Sequence, residues 1–152
     1  MSVLDLLKSR ARRRLRVQVC GHPALRRISK PIDEVTDEIR VLAARMAVTM
    51  FENEVIGVGL AAPQVGVNVR LITLATHNPD EPVPIDASPG ELLLGSRMPI
   101  ALVNPEVVWT SAETETSTEG CLSIPRISGT VERPARLVVR AMFLDGEILQ
   151  VE

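Results

Sequence analysis

The sequence contains few aromatic residues: one Trp, two Phe and no Tyr among 152 residues. A core built mainly from aromatic rings is therefore excluded, and Val, Leu, Ile and Met must do the packing. Hydrophobic residues still make up 45% of the chain, which is typical of a folded globular protein. At this length we expect one domain that buries about two thirds of its unfolded surface.

Three further absences narrow the class of protein. No apolar run reaches the roughly 18 residues that a membrane span needs, so we expect no membrane partner. The net charge of −2 lacks the basic excess of a nucleic-acid-binding domain, which argues against sequence-specific nucleic-acid recognition. Two cysteines, Cys20 and Cys121, are too few for a disulfide framework, so we predict a reducing, cytoplasmic location.

Basic side chains are concentrated at the start of the chain, and we divide it into a basic arm (1–16) and a domain (17–152). Four apolar residues of the arm recur at helical spacing: Leu4, Leu7, Ala11 and Leu15. No uncharged apolar segment follows the charges, so the arm is not a secretory signal. We expect a solvated helix that packs its leucine edge on the domain. Organellar targeting and contact with RNA are the open alternatives.

Periodicity predicts one helix and several strands. Thr36 is the expected N-cap of a helix ending near Glu54, with an apolar stripe at Ile39, Leu42, Ala43, Met46 and Met50.

Strands are predicted at 17–20, 69–75, 100–109 and 137–143, a long loop at 76–98 and a polar hairpin at 111–118. Asn104-Pro105 predicts a bend, and Asp145-Gly146 predicts a tight turn. No later segment covers the apolar face of strand 137–143, so we expect that face to be exposed.

Two short stretches carry chemistry. The first, Gly57-Val58-Gly59-Leu60-Ala61-Ala62-Pro63-Gln64, lacks the Gly-Lys-Ser/Thr ending of a phosphate loop. Its small residues instead permit close backbone approach, and its single amide side chain ends the run. The second, Glu119-Gly120-Cys121-Leu122-Ser123-Ile124-Pro125, offers a thiol that binds metals when ionised. We expect the two stretches to face each other across a cleft, whereas a plain turn and an ordinary buried cysteine are the alternatives.

Together the two stretches resemble the first two signature motifs of the peptide deformylases, and the resemblance runs from about Leu15 to the C-terminus. It implies an α+β fold with antiparallel strands around an N-terminal helix. The family reaction is metal-dependent hydrolysis of the N-formyl group from formyl-methionyl nascent peptides. The implied partner is a formyl-methionyl peptide, with the ribosome surface as a further candidate.

The resemblance also implies roles for six residues. Cys121 corresponds to the cysteine that binds the divalent ion, Fe2+ in the family, with Zn2+ and Ni2+ as alternatives. Gln64 and the backbone N–H of Leu122 correspond to the donors that receive the oxyanion. Val58, Gly59 and Gly120 correspond to the backbone along which the substrate adds as a strand. Glu119 is expected to pair with Arg133 and brace the cysteine loop.

The third motif of the family, a His-Glu-x-x-His helix that supplies two metal ligands and the general base, does not occur in the 152 residues. His22 and His77 are the two histidines, and neither begins that pattern; His22 precedes a proline and is expected to be a surface or capping residue. We therefore expect a domain that lacks the central C-terminal helix and holds metal weakly or not at all. Three hypotheses follow: a truncated deformylase, a degenerate module that binds N-terminal peptides by strand addition, and a half-protein completed by another chain.

Overall fold

The computed structural model describes residues 14–52, 57–76, 81–82 and 87–152. Most of the predicted basic arm (1–16) and all of His77 lie outside these residues. In the described part, two α-helices are present, α1 (Asp37–Phe51) and α2 (Pro89–Leu94). The strands are β1 (Gly59–Ala61), β2 (Leu71–Leu74), β3 (Ile100–Thr110), β4 (Thr114–Cys121), β5 (Ile124–Pro134), β6 (Leu137–Met142) and β7 (Ile148–Val151). Neither α-helix of the described part has the length and apolar character needed to cross a membrane.

The strands form two antiparallel sheets. Five strands pair in the order β1-β2-β3-β6-β7, and β4 and β5 form a separate two-stranded sheet. The predicted α+β class with antiparallel strands and an N-terminal helix is therefore confirmed. The bend predicted at Asn104-Pro105 is also confirmed: Asn104 has a φ of 50°, and the β3–β6 register shifts between Val103 and Glu106.

Helix α1 covers one face of the five-stranded sheet. Thr36 is its N-cap, although the side chain makes no capping hydrogen bond, and acidic residues occupy the first turn as the helix dipole favours. Met46 and Met50 are fully buried against Leu60, Leu71 and other residues of β1 to β3. The predicted apolar stripe is thus the main contact of the helix with the sheet. The helix ends at Phe51, three residues before the predicted end.

Helix α2 covers the opposite face, within a segment that the sequence predicts to be loop. That prediction is wrong for residues 89–94. Ser88 and Glu91 form a reciprocal capping box at the start of α2, with hydrogen bonds of 3.2 and 2.8 Å. Leu94 and Met98 then pack on Ala141, Phe143 and other residues of the sheet. The expectation of an exposed face on strand 137–143 is therefore wrong for Ala141 and Phe143, which are buried.

Two other predicted elements also differ. Residues 111–118 are not a hairpin by themselves, because Thr114–Cys121 forms the first strand of the β4–β5 hairpin. Residues 17–20 form no regular strand, and Cys20 lies in a turn. The turn at Asp145-Gly146 is present as predicted, and Gly146 adopts a φ of 92°, which favours glycine.

The β4–β5 hairpin projects most of its residues into solvent. Glu119 and Arg133 join its two strands through a bidentate ion pair, with an Nε–Oε1 distance of 2.6 Å and an Nη2–Oε2 distance of 2.7 Å. The predicted pairing is confirmed. The hydrogen bond from Arg133, together with its charge, lowers the pKa of the Glu119 carboxyl from its ordinary value.

A lowered folded-state pKa means that this pair stabilises the protein above the unfolded pKa of Glu119, and the contribution is lost as pH falls through the folded pKa. We predict that Glu119→Gln lowers the melting temperature at pH 7 and that this difference shrinks below about pH 4. Thermal unfolding of both proteins across that pH range measures it. Glu132→Gln, an exposed acid on the same hairpin, is the control. A difference for Glu119→Gln that stays constant at acid pH would contradict the assignment.

Candidate active site

The glycine-rich stretch folds so that the side chain of Gln64 is fixed. Strand β1 leads directly into a 3-10 turn, Ala62–Val65. The backbone N–H of Ala61 donates a hydrogen bond of 2.8 Å to Oε1 of Gln64. Because the amide oxygen is held in this way, the NH2 group of Gln64 points away from β1. The stretch therefore presents an oriented hydrogen-bond donor.

The cysteine stretch provides the opposite side. Cys121 is the last residue of β4 and pairs with Ile124, so Leu122 and Ser123 form the turn of the hairpin. Nε2 of Gln64 lies 3.7 Å from Sγ of Cys121 and donates to Oγ of Ser123 at 3.3 Å. Cys121 is exposed to solvent, whereas Ser123 is buried. The amide and the thiol thus face each other, as the sequence predicts.

Gly57 allows the two stretches to approach. A Cβ atom at this position would lie 2.8 Å from Cδ1 of Leu122 and 3.3 Å from Cγ of Met50. Real Cβ atoms essentially never approach another atom as closely as 2.8 Å, so any larger residue at position 57 would displace the side chain of Leu122. The Leu122 side chain in turn packs against the core formed by α1 and the first sheet face. The turn that carries Cys121 is therefore anchored in the hydrophobic core.

All six predicted site residues line one cleft of about 1060 Å3: Val58, Gly59, Gln64, Gly120, Cys121 and Leu122. Another cavity of about 480 Å3 lies on the α2 face of the sheet; most of its lining is aliphatic, and two of its polar residues, Ser88 and Glu91, already bond to each other in the capping box of α2. We therefore assign chemistry to the cleft. The individual roles of the six residues stay predictions.

Sequence reasoning missed the short segment, residues 18–20, that hydrogen-bonds to both the glycine-rich stretch and the cysteine stretch. The N–H of Gln18 donates to the carbonyl oxygen of Gln64 at 2.7 Å, and the N–H of Cys20 donates to that of Ser123 at 2.8 Å. Just before it, Arg14 to Val17 line the cleft, and Arg14 to Arg16 are not helical. No local pattern indicated these contacts, because they use backbone groups far away in the sequence. Ser123 lies within the quoted stretch, but only its geometry reveals its hydrogen bond to Gln64.

The described residues do not complete a metal site. Cys121 offers one sulfur ligand, but no group of three or more His, Cys, Asp or Glu side chains in the described ranges could hold an ion. His22 is not part of the cleft; its Nδ1 accepts a hydrogen bond of 3.2 Å from the N–H of Ala24, so it is a capping residue as predicted. No reaction step through a metal can be derived from these residues.

Comparison with known proteins identifies relatives of this chain. Residues 14–152 match the family described as polypeptide deformylase. A peptide deformylase of Phenylobacterium zucineum is 40% identical over 136 residues, covering 90% of this chain and 70% of that protein. One of Acinetobacter baumannii is 39% identical over 131 residues, covering 86% of this chain and 64% of that protein. The chain thus spans about two thirds of the length of these relatives.

The fold comparison agrees. A Met-Ala-Ser-bound crystal structure of a class I type b peptide deformylase from A. baumannii has a TM-score of 0.73 and 33% sequence identity, covering 91% of this chain and 82% of that one. The family match over residues 14–152 includes both stretches that line the cleft. The chain therefore belongs to the peptide deformylase family.

Proposed function

We propose that this chain forms the substrate-binding part of a deformylase site and captures the formyl-methionyl end of a peptide. The orientation of Gln64 carries the proposal, because its amide oxygen is held by Ala61 and its NH2 group faces the thiol of Cys121. A neutral N–H donor suits a carbonyl oxygen on which negative charge develops. The backbone N–H of Leu122, next to Cys121, is the second proposed donor.

Strand addition is the proposed mode of peptide binding. Strand β1 lies at one end of the five-stranded sheet, so one of its edges is open among the described strands. Val58 and Gly59 on this side and Gly120 on the other line the cleft. A peptide can pair with such an edge through main-chain hydrogen bonds, and glycines let its backbone approach closely. Met-Ala-Ser, bound in the A. baumannii structure, is a peptide that begins with methionine, as the proposed ligand does.

Hydrolysis needs more than these residues provide. A catalytic divalent ion, which by resemblance is Fe2+, Zn2+ or Ni2+, is usually held by three protein ligands. Cys121 supplies one of them. The 152 residues contain no His-Glu-x-x-His segment that could add the others and a base. We therefore propose that the 152-residue chain binds formyl peptides but does not release formate by itself.

The first prediction concerns formyl recognition. Gln64→Leu should weaken binding of formyl-Met-Ala-Ser by about tenfold to a hundredfold, since a hydrogen bond of roughly 1–3 kcal/mol is lost. Binding of unformylated Met-Ala-Ser should change little. Isothermal titration of both peptides against both proteins measures this difference. Equal losses for the two peptides would show that Gln64 does not contact the formyl group.

The second prediction concerns strand addition. Gly59→Trp should abolish binding of both peptides, because Gly59 lines the cleft and even a Cβ there would already lie 3.4 Å from Cδ2 of Leu74, so the indole ring would crowd the edge of β1. Gly129→Trp is a matched control, since a Cβ at Gly129 meets no atom within 4 Å and the residue lies outside the cleft lining. Fluorescence anisotropy with labelled peptides reports both variants. Undiminished affinity in Gly59→Trp would exclude binding along β1.

The third prediction concerns metal. After incubation with Fe2+, Zn2+ or Ni2+ and desalting, the chain should retain clearly less than one ion per molecule, because one thiolate binds weakly. Cys121→Ser should remove the residual metal. Metal analysis and a formate-release assay on formyl-Met-Ala-Ser test the point. One firmly bound ion per chain together with formate release would contradict the proposal.

A further inference from the structure

The cleft is positively charged although the chain as a whole is not. Among its described lining residues are three arginines, Arg14, Arg16 and Arg126, and no aspartate or glutamate. The whole sequence has a net charge of −2, so this excess is local. Glu119 is next to the lining residue Gly120, but its carboxylate is already held by both guanidinium contacts from Arg133. The positive electrostatic field in the cleft therefore comes mainly from the three lining arginines.

These guanidinium groups are available for a ligand. All three arginines are exposed. Ion pairs between described residues are formed by other arginines, among them Arg40, Arg97, Arg133, Arg136 and Arg140. Arg14 makes one long hydrogen bond, of 3.4 Å, to the backbone carbonyl of Glu52, and no ion pair joins its guanidinium to another residue of the described ranges. Arginines of this kind bind carboxylates through two parallel hydrogen bonds.

The rest of the lining favours a peptide as the source of those carboxylates. Val58, Ile124 and Ile127 are 64%, 40% and 66% exposed, and they line the same cleft, so apolar side chains lie among the arginines. Single-stranded nucleic acids are bound by basic grooves that also carry stacking aromatic rings. The described lining of this cleft contains no aromatic residue. An acidic peptide fits this combination better than RNA.

We propose that the cleft selects formyl-methionyl peptides whose following residues are acidic, with Arg16 and Arg126 as the specificity-determining side chains. This inference rests on the proposed peptide-binding function. The two arginines come from different elements, the N-terminal segment and β5, so a peptide in the cleft meets positive charge from both. Arg14 adds to the same field.

Three amidated, labelled peptides test the inference with the full 152-residue chain: formyl-Met-Ala-Glu-Glu, formyl-Met-Ala-Gln-Gln and formyl-Met-Ala-Lys-Lys. We expect the glutamate peptide to bind about fivefold more tightly than the glutamine peptide at low salt, and the lysine peptide to bind most weakly. The preference should fall at about 0.3 M salt, because exposed charges are screened. Fluorescence anisotropy gives the dissociation constants.

Matched variants test whether Arg16 and Arg126 cause the preference for acidic peptides. Arg16→Gln with Arg126→Gln should remove most of the preference, whereas Arg16→Lys with Arg126→Lys should keep much of it. Arg27→Gln, at an exposed arginine outside the cleft lining, removes the same charge per site and should leave the preference unchanged. Binding of all three peptides with equal affinity, or an unchanged preference in the double glutamine variant, would overturn the inference and leave the proposed function standing.

Two other outcomes also decide the matter. If none of the three peptides binds, the proposed function fails and this inference fails with it. A single-stranded RNA oligonucleotide should not compete with the glutamate peptide. Competition by RNA that is lost in the double glutamine variant, without any change in peptide preference, would assign the arginines to RNA and overturn the inference.

Discussion

Two backbone hydrogen bonds from one short segment, residues 18–20, hold the two sides of the cleft together. The N–H groups of Gln18 and Cys20 bind the carbonyl oxygens of Gln64 and Ser123. This constraint matters because β4 and β5 pair only with each other among the described strands, not with the five-stranded sheet. An isolated two-stranded hairpin is marginally stable in water. The segment, together with the partly buried side chain of Leu122, therefore decides where the cysteine turn lies relative to the sheet.

The same arrangement supports the proposed binding of a peptide carbonyl in the cleft. Backbone groups hold both sides of the cleft: the N–H of Ala61 orients the Gln64 amide, and the pairing of Cys121 with Ile124 fixes the hairpin turn that follows the thiol. Hydrogen-bond donors set in advance in this way need little reorganisation when a ligand arrives. A divalent ion instead needs several negatively charged or imidazole ligands at once. In the described part of the chain, Cys121 has no such partners.

Sequence reasoning succeeded where local pattern and packing agree. The stripe of Met46 and Met50 predicts the buried face of α1, because one helical period produces one apolar side. Helix α2 was missed, since it has six residues, contains a glycine and follows a run rich in proline. Its stability comes from a capping box and from packing Leu94 on the sheet, not from periodicity. Strand β4 was misread because it is exposed on both faces, so its residues show no alternation between apolar and polar.

The sequence by itself determined the family and the chemical groups of the site, because motif order and residue type are properties of the chain. It therefore identified Cys121, Gln64 and the glycines beside them. Only the tertiary structure decided that Arg16 and Arg126, 110 residues apart, border one cleft. That placement depends on long-range backbone hydrogen bonds and on close packing at Gly57, and neither leaves a periodic signal in the sequence.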